Sequence, residues 1–92
     1  MQPKFEVRYE KARDGYDVSY LRRLVVVSGH YGHEYEFTAG NVDGRSERDA
    51  IFSAWHWFAA NGGDWHAHVE RVTGFSAKRI IDAWAEWQGY EV

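Results

Sequence analysis

The fold is decided between residues 35 and 58, which read YEFTAGNVDGRSERDAIFSAWHWF. At the start of this stretch, Tyr35 and Phe37 alternate with charged or polar neighbours, which is typical of a strand with one buried face. At its end, Ile51, Trp55 and Phe58 recur at intervals of three or four residues, which is typical of a helix with one buried stripe. The periodicity therefore changes once, from strand to helix.

The residues before this stretch predict a β-hairpin. Residues 4–10 alternate between apolar and charged side chains, Asp14 and Gly15 supply turn residues, and the alternation resumes at Tyr16. An Asp-Gly pair between two alternating runs is a strong hairpin signal. We therefore expect two antiparallel strands joined by a turn at this pair.

The second strand should continue through residues 24–27, which read LVVV, and should occupy the middle of the sheet because it is apolar on both faces. Its phase breaks at Arg22 and Arg23, where we expect a β-bulge and solvated charges. Residues 33–38 predict a third strand. The sheet is then a three-stranded antiparallel meander, followed by a loop over residues 39–45.

Start and stop residues bound three helices after the sheet. Serine and aspartate favour helix N-caps, and Gly or Asn favours the position after a helix end. The expected caps are Ser46, Asp64 and Ser76, and the expected ends lie at Asn61, Gly74 and near Gly89.

Strands followed by helices predict an α+β fold in which the three helices pack on one face of the sheet. We expect a single domain over residues 1–92. The side chains predicted to form one contiguous core are Phe5, Tyr9, Val18, Tyr35, Phe37, Ile51, Trp55, Phe58, Ile80 and Trp84.

The composition of the chain argues against several classes of function. A net charge of −3 opposes a general affinity for nucleic acid. The sequence has no cysteine, which excludes disulfides and thiol chemistry and fits a cytoplasmic protein. It has no apolar run near the ~20 residues that span a bilayer, and we expect neither a signal peptide nor a membrane partner. It lacks a nucleophile elbow, a phosphate loop and a dinucleotide fingerprint, so we expect neither enzymatic activity nor a cofactor.

Histidine pairs are the nearest approach to a metal motif. His30 and His33 flank a glycine turn, and His66 and His68 lie near the start of the second predicted helix. Side chains two residues apart on a helix are separated by about 200° of rotation, so His66 and His68 cannot face one ion. We expect no metal site.

A DNA-binding regulator is an alternative function. Residues 66–87 resemble a helix-turn-helix, with Gly74 at the turn and Lys78 and Arg79 near the start of the second helix. Glu70 departs from that motif, because a small residue usually stands four positions before the glycine. A structural homodimer is a further alternative, with residues 24–27 or the exposed tryptophans at its interface.

Protein binding is the function that the remaining features favour. The carboxylates Glu6, Glu10, Asp17, Glu34 and Glu36 are expected on the exposed sheet face. Trp57 lies about 120° from the apolar stripe of its helix, and Tyr31 has no place in the strand alternation. Exposed aromatic side chains are enriched at protein interfaces.

In size, acidity, missing cysteine and strands-then-helices order, the chain resembles the small single-domain anti-CRISPR inhibitors that bacteriophages encode. That resemblance is of overall character across the chain and includes no shared motif. It implies a monomer or homodimer in the host cytoplasm that sterically blocks a CRISPR effector complex. The partner would be a protein or ribonucleoprotein, and free nucleic acid would not be a ligand. The acidic residues would then meet basic grooves that normally hold nucleic acid.

Overall fold

A computed structural model describes residues 2–42 and 46–87, and these form a three-stranded antiparallel sheet followed by three helices. The predicted α+β fold is confirmed. The strands are β1 (Lys4–Arg13), β2 (Ser19–Ser28) and β3 (Glu34–Asn41), and a short 3-10 turn, His30–Gly32, joins the last two. The helices are α1 (Glu47–Ala60), α2 (Asp64–Thr73) and α3 (Ala77–Trp87).

The sheet has the order β1-β2-β3, and its register changes once. Arg22 lies opposite Asn41 and Leu24 lies opposite Thr38, so two residues of β3 face Arg23 alone. One of them is Gly40, whose φ is 84°, a conformation that glycine adopts without the Cβ clash of other residues. The predicted irregularity at Arg22 and Arg23 is confirmed, with the extra residue on β3 rather than on β2.

The first hairpin has a longer connection than the Asp-Gly pair predicted. Asp14 Oδ1 accepts hydrogen bonds from the backbone N–H groups of Tyr16, at 2.7 Å, and Val18, at 3.1 Å. A side chain that binds the backbone two residues on is a common way for aspartate to form a turn. Tyr16 and Val18 therefore belong to a five-residue loop, and β2 begins at Ser19 rather than at Tyr16.

The second hairpin closes through a tight turn in which Tyr31 and Gly32 have φ values of 59° and 79°. The N–H of His33 donates to the carbonyl of His30 at 3.2 Å. Two consecutive positive φ angles define a type I′ turn, which matches the right-handed twist of the flanking strands. β3 then runs to Asn41, beyond the predicted end at Thr38.

Two of the three predicted helix caps are confirmed. Ser46 Oγ accepts from the N–H of Asp49 at 3.1 Å, and Ser76 Oγ accepts from the N–H of Arg79 at 3.3 Å. Asp64 is instead the first residue of α2, and Gly63 takes the cap position with no side-chain hydrogen bond.

The predicted helix ends agree with the structure where it describes them. α2 ends at Thr73, and its C-cap is Gly74, which is in the left-handed conformation with φ 76°. α1 ends at Ala60, and its C-cap is Asn61. Residues 43–45 of the predicted loop and the predicted end of the third helix near Gly89 lie outside the described residues.

The helices cover one face of the sheet, which we call the inner face. It carries the odd-numbered residues of β1 and β2. One cluster of buried side chains joins this face to all three helices: Val25, Val27, Phe37, Ala39, Ile51, Ala54, Phe58, Val69, Phe75, Ala77, Ile80 and Trp84. Phe5, Tyr35 and Trp55, three of the ten predicted core residues, are partly buried against it.

Two of the predicted core residues lie outside that core. Tyr9 is 50% exposed and Val18 is 57% exposed. A ten-residue strand is about 33 Å long, whereas the longest helix, α1, is only about 21 Å long. The helical layer therefore ends before the hairpin does.

Candidate functional site

The outer face of the sheet, opposite the helices, carries charged side chains above two buried aliphatic ones. Leu24 and Val26 lie outside the core cluster but are only 4% and 0% exposed. On that face Val26 lies between Glu6 and Glu36, and Leu24 lies beside Arg8. The aliphatic stems of these long side chains can cover apolar surface while their charged ends stay in water.

An apolar dimer interface through residues 24–27 is therefore wrong. Leu24 is 4% exposed and the three valines are 0% exposed within one copy. An interface must bury apolar area that the monomer leaves open to solvent. These four side chains leave none, and they fill both sides of the central strand instead.

Arginines of the outer face pair with three of its glutamates. Arg8 is bidentate to Glu34, at 3.2 Å through Nη1 and 2.8 Å through Nη2, and it also donates to Glu6. Arg22 donates to Glu10. The bonds to Glu34 and then to Glu6 raise the pKa of Arg8, and the bond from Arg8 lowers the pKa of Glu34. These side chains are 37–52% exposed, so the pairs orient charges more than they stabilise the fold.

The outer face, which we predicted to be acidic, thus carries charges of both signs. The positive side chains are Lys4, Arg8 and Arg22, and the negative ones are Glu6, Glu10, Glu34 and Glu36. Among the described residues, Glu36 makes no ion pair. It is the carboxylate of this face most available to a partner.

Asp17 does not lie on the sheet face where we expected it. It stands in the loop of the first hairpin with φ 63°, and its nearest cation is Arg13, with Nη1 at 3.4 Å. The side chains of this pair are 69% and 88% exposed. A pair so exposed has little effect on stability.

The far end of the first hairpin forms an open depression that sequence analysis did not find. Its volume is about 730 Å³, and we call it the hairpin groove. It is lined by Asp14, Val18, Tyr20, Leu21, Asn41 and Val42. Val18, Leu21 and Val42 are 57%, 46% and 38% exposed. The sequence signal for it was the excess length of the strands over the helices, which leaves apolar side chains uncovered at that end.

Trp57 and Tyr31, the two aromatic residues predicted to contact a protein partner, are exposed on separate elements. Trp57 is 63% exposed on α1, which agrees with its predicted position away from the buried stripe. Tyr31 is 96% exposed at the turn between β2 and β3, in a backbone conformation that is uncommon for a bulky residue. Neither side chain lines the hairpin groove.

The α2–α3 unit has the outline of a helix-turn-helix but an unsuitable charge distribution. Lys78 pairs with Asp82 at 3.0 Å, and the guanidinium of Arg79 lies over the Phe75 ring at 5.4 Å. Glu70 Oε1 accepts from the N–H of Ala77 at 2.8 Å. That carboxylate lies at the N-terminus of the helix that would enter a groove, where it would repel phosphates.

Arg23 departs from the solvated position that we expected. It is 3% exposed on the inner face, and its Nε and Nη1 have no hydrogen-bond partner among the residues that the structure describes. It lies opposite Tyr9, whose hydroxyl donates to Glu47. That hydrogen bond raises the pKa of Tyr9, against an opposing effect of Arg23. The cation and the carboxylate thus flank one tyrosine where the sheet meets the start of α1.

Four histidine rings have aromatic or backbone partners, and three of these histidines were named in the sequence analysis. The rings of His30 and Phe75 are 4.3 Å apart between centroids, and those of His68 and Tyr35 are 5.5 Å apart. His66 Nε2 lies 2.6 Å from the carbonyl of Phe58. Within residues 2–42 and 46–87, no three His, Asp or Glu side chains converge in a way that could hold a metal ion.

Comparison with protein-family models, curated proteins and solved structures gives no match. In the part of the chain that the structure describes, no helix has the length and apolar character needed to span a bilayer.

Proposed function

We propose that this protein is a small binding module that acts by occupying a surface of another protein through the hairpin groove. The observation that carries the proposal is the groove itself, in which Val18, Leu21 and Val42 lie together and exposed. Interaction sites on proteins commonly combine an apolar centre with a polar rim. Asp14 and Asn41 supply polar groups at this site.

A protein partner suits this groove better than a small molecule. Pockets for small ligands enclose most of the ligand surface, whereas this depression is open along the end of the hairpin. Tyr16, at 90% exposure, stands in the loop beside it. Tyrosines around an apolar centre are typical of protein interfaces, because they combine a large apolar ring with a polar hydroxyl.

The narrower form of the proposal is an inhibitor that blocks a CRISPR effector complex by steric hindrance in the host cytoplasm. The resemblance to anti-CRISPR inhibitors supports it, and so does the net charge of −3. Glu36 and Asp17 are exposed carboxylates that would guide association with a basic groove. In this form the protein has no enzymatic activity, and its effect depends on binding alone.

Substitution of Leu21 tests the binding module directly. Leu21→Asp places a charge in the groove and should weaken binding to a cognate protein at least tenfold while leaving the circular dichroism spectrum unchanged. Phe52→Asp is the matched control, because Phe52 is 43% exposed on α1, against 46% for Leu21. Equal effects of the two variants on affinity would refute the groove as the binding site.

The narrower proposal has its own assay. Purified CRISPR effector complexes are incubated with the protein, and binding of labelled target DNA to each complex is measured by gel shift. Loss of DNA binding with wild type, and its recovery with Leu21→Asp, is the expected result. If the protein binds none of the complexes while the groove variant still loses affinity for another partner, the narrower proposal fails and the broader one stands.

A further inference from the structure

β1 forms an open edge of the sheet. Among the described residues, only β2 pairs with it. Its ten residues pair with β2 without a register shift, and they include no proline. Natural proteins usually interrupt or shorten such an edge, because its free N–H and C=O groups can pair with another strand. An uninterrupted edge of this length can therefore accept a further strand.

The charges along this edge are complementary to themselves. On the outer face, β1 presents Lys4, Glu6, Arg8 and Glu10 in that order. We propose that β1 pairs antiparallel with β1 of a second copy about a twofold axis at Val7, giving a continuous six-stranded sheet. Lys4 then lies opposite Glu10 of the second copy, and Glu6 lies opposite Arg8. Each pairing occurs twice, so all charged pairs across the interface are of opposite sign, which stabilises cross-strand neighbours.

This register gives two kinds of opposite-charge pair, whereas an axis at Phe5 or at Tyr9 gives only one. Moving the axis to Glu6 places Glu6 opposite itself and Lys4 opposite Arg8. Moving it to Arg8 places Arg8 opposite itself and Glu6 opposite Glu10. Like charges directly opposite one another are destabilising. In both of these neighbouring registers the inner-face residues of β1 still lie opposite one another, but like charges meet on the outer face. Both registers are therefore disfavoured.

The inner face of the same pairing brings apolar side chains together. Val7 meets Val7 of the second copy, and Phe5 meets Tyr9. Phe5 and Val7 are partly buried against the core, and half of the Tyr9 surface is exposed in the monomer. Aromatic cross-strand pairs stabilise sheets. The pairing would thus cover Tyr9, one of the two predicted core residues that the helices leave exposed.

The other edge of the sheet does not share this property. A similar axis at Glu36 on β3 would place Glu36 opposite itself and Glu34 opposite Thr38. Since only the β1 edge is complementary to itself, the assembly closes as a dimer and does not extend into a fibre. Arg8 has five N–H donors, so it can keep its bond to Glu34 while it binds Glu6 of the second copy. The proposed dimer is independent of the hairpin groove.

Analytical ultracentrifugation of the wild type, Glu6→Lys and Arg8→Glu tests this dimer. The wild type should sediment at twice its monomer mass of 10.7 kDa at high concentration. Each single variant places like charges opposite one another at two points, so its dissociation constant should rise roughly tenfold or more. Glu36→Lys is the matched control, because it makes the same charge change on the opposite edge strand and should leave the dimer intact.

Mixing the two variants distinguishes this interface from any other. In a mixed dimer, the lysine at position 6 faces the glutamate at position 8, and the native Arg8 faces the native Glu6. Equimolar Glu6→Lys and Arg8→Glu should therefore form a heterodimer, although each alone is monomeric. A wild type that stays monomeric at millimolar concentration overturns the proposal, and so does a mixture that fails to associate while both variants give native circular dichroism.

Discussion

Arg8 on one edge strand reaches Glu34 on the other, with its Nη2 2.8 Å from Glu34 Oε2. β2 lies between these two strands, so the pair spans the central strand. Leu24 lies directly beside Arg8 on that face and is 4% exposed. The Arg8–Glu34 pair thereby covers an apolar side chain of the outer face, as the helices cover the apolar side chains of the inner face.

Removal of that arginine should change the titration of Glu34. Arg8 lowers the pKa of Glu34, so this carboxyl stabilises the fold above its unfolded pKa, and the effect is lost as pH falls through its lower folded pKa. Arg8→Gln should move the pKa of Glu34 back up toward its ordinary value, as measured by NMR titration of the side-chain carboxyl carbon. An unchanged Glu34 titration would show that the pair does not form in solution.

Gly29 is required by close packing. A Cβ at this position would lie 2.3 Å from the carbonyl oxygen of Thr73, and that oxygen belongs to backbone that cannot rotate away. Gly29→Ala should therefore lower the free energy of unfolding by roughly 1–3 kcal/mol, measured by urea denaturation. Gly15→Ala is the control, because no atom lies within 4 Å of its added Cβ, and it should change stability by less than about 0.5 kcal/mol. Equal stabilities for the two variants would contradict the packing.

Sequence periodicity was sufficient for the order of the elements, because period-two and three-or-four patterns report which face of each element is buried. It placed Ile80 and Trp84 in the core, and Trp57 outside it, correctly. It failed for Tyr9 and Val18, since alternation cannot tell where the covering layer ends. It also missed the burial of Arg23, because burial there depends on contacts between elements distant in sequence. The ion pairs of the outer face could not be predicted, because they depend on the cross-strand register, which residue types alone do not supply.

Tyr31 occupies a position that favours asparagine or glycine. Its φ of 59° is the first of the two left-handed positions in the type I′ turn. Tyr31→Asn should raise the free energy of unfolding by about 1 kcal/mol, because the strained conformation is relieved. If Tyr31 contacts a partner, the same variant should bind more weakly despite its greater stability. Thermal unfolding and a binding assay on the same preparation separate these two effects, and a less stable variant would contradict the turn assignment.

Glu36 should act on the rate of association with a basic partner. Glu36→Lys reverses the exposed carboxylate of the outer face that has no ion pair with a described residue. It should slow association at low ionic strength, and the difference from wild type should fade as salt screens the charges. Surface plasmon resonance at several salt concentrations measures this. Glu86→Lys makes the same charge change on α3 and should have a smaller effect, so equal slowing by both would indicate net charge rather than a specific surface.

Trp57 lies outside the hairpin groove, so it should contribute to binding only where a partner also contacts α1, and it should not contribute to the fold. Its side chain is 63% exposed, whereas that of Trp84 is 0% exposed. Trp84→Ala should cost about 3–5 kcal/mol of stability, but Trp57→Ala should change stability by less than about 0.5 kcal/mol. Against a partner that contacts this side of α1, Trp57→Ala should weaken binding by roughly 1–3 kcal/mol, as expected for an exposed aromatic anchor. Calorimetry of binding and of unfolding on the same variants provides both numbers. Unchanged affinity with intact folding would remove Trp57 from the interface, and loss of folding would show that the helix needs this side chain for stability.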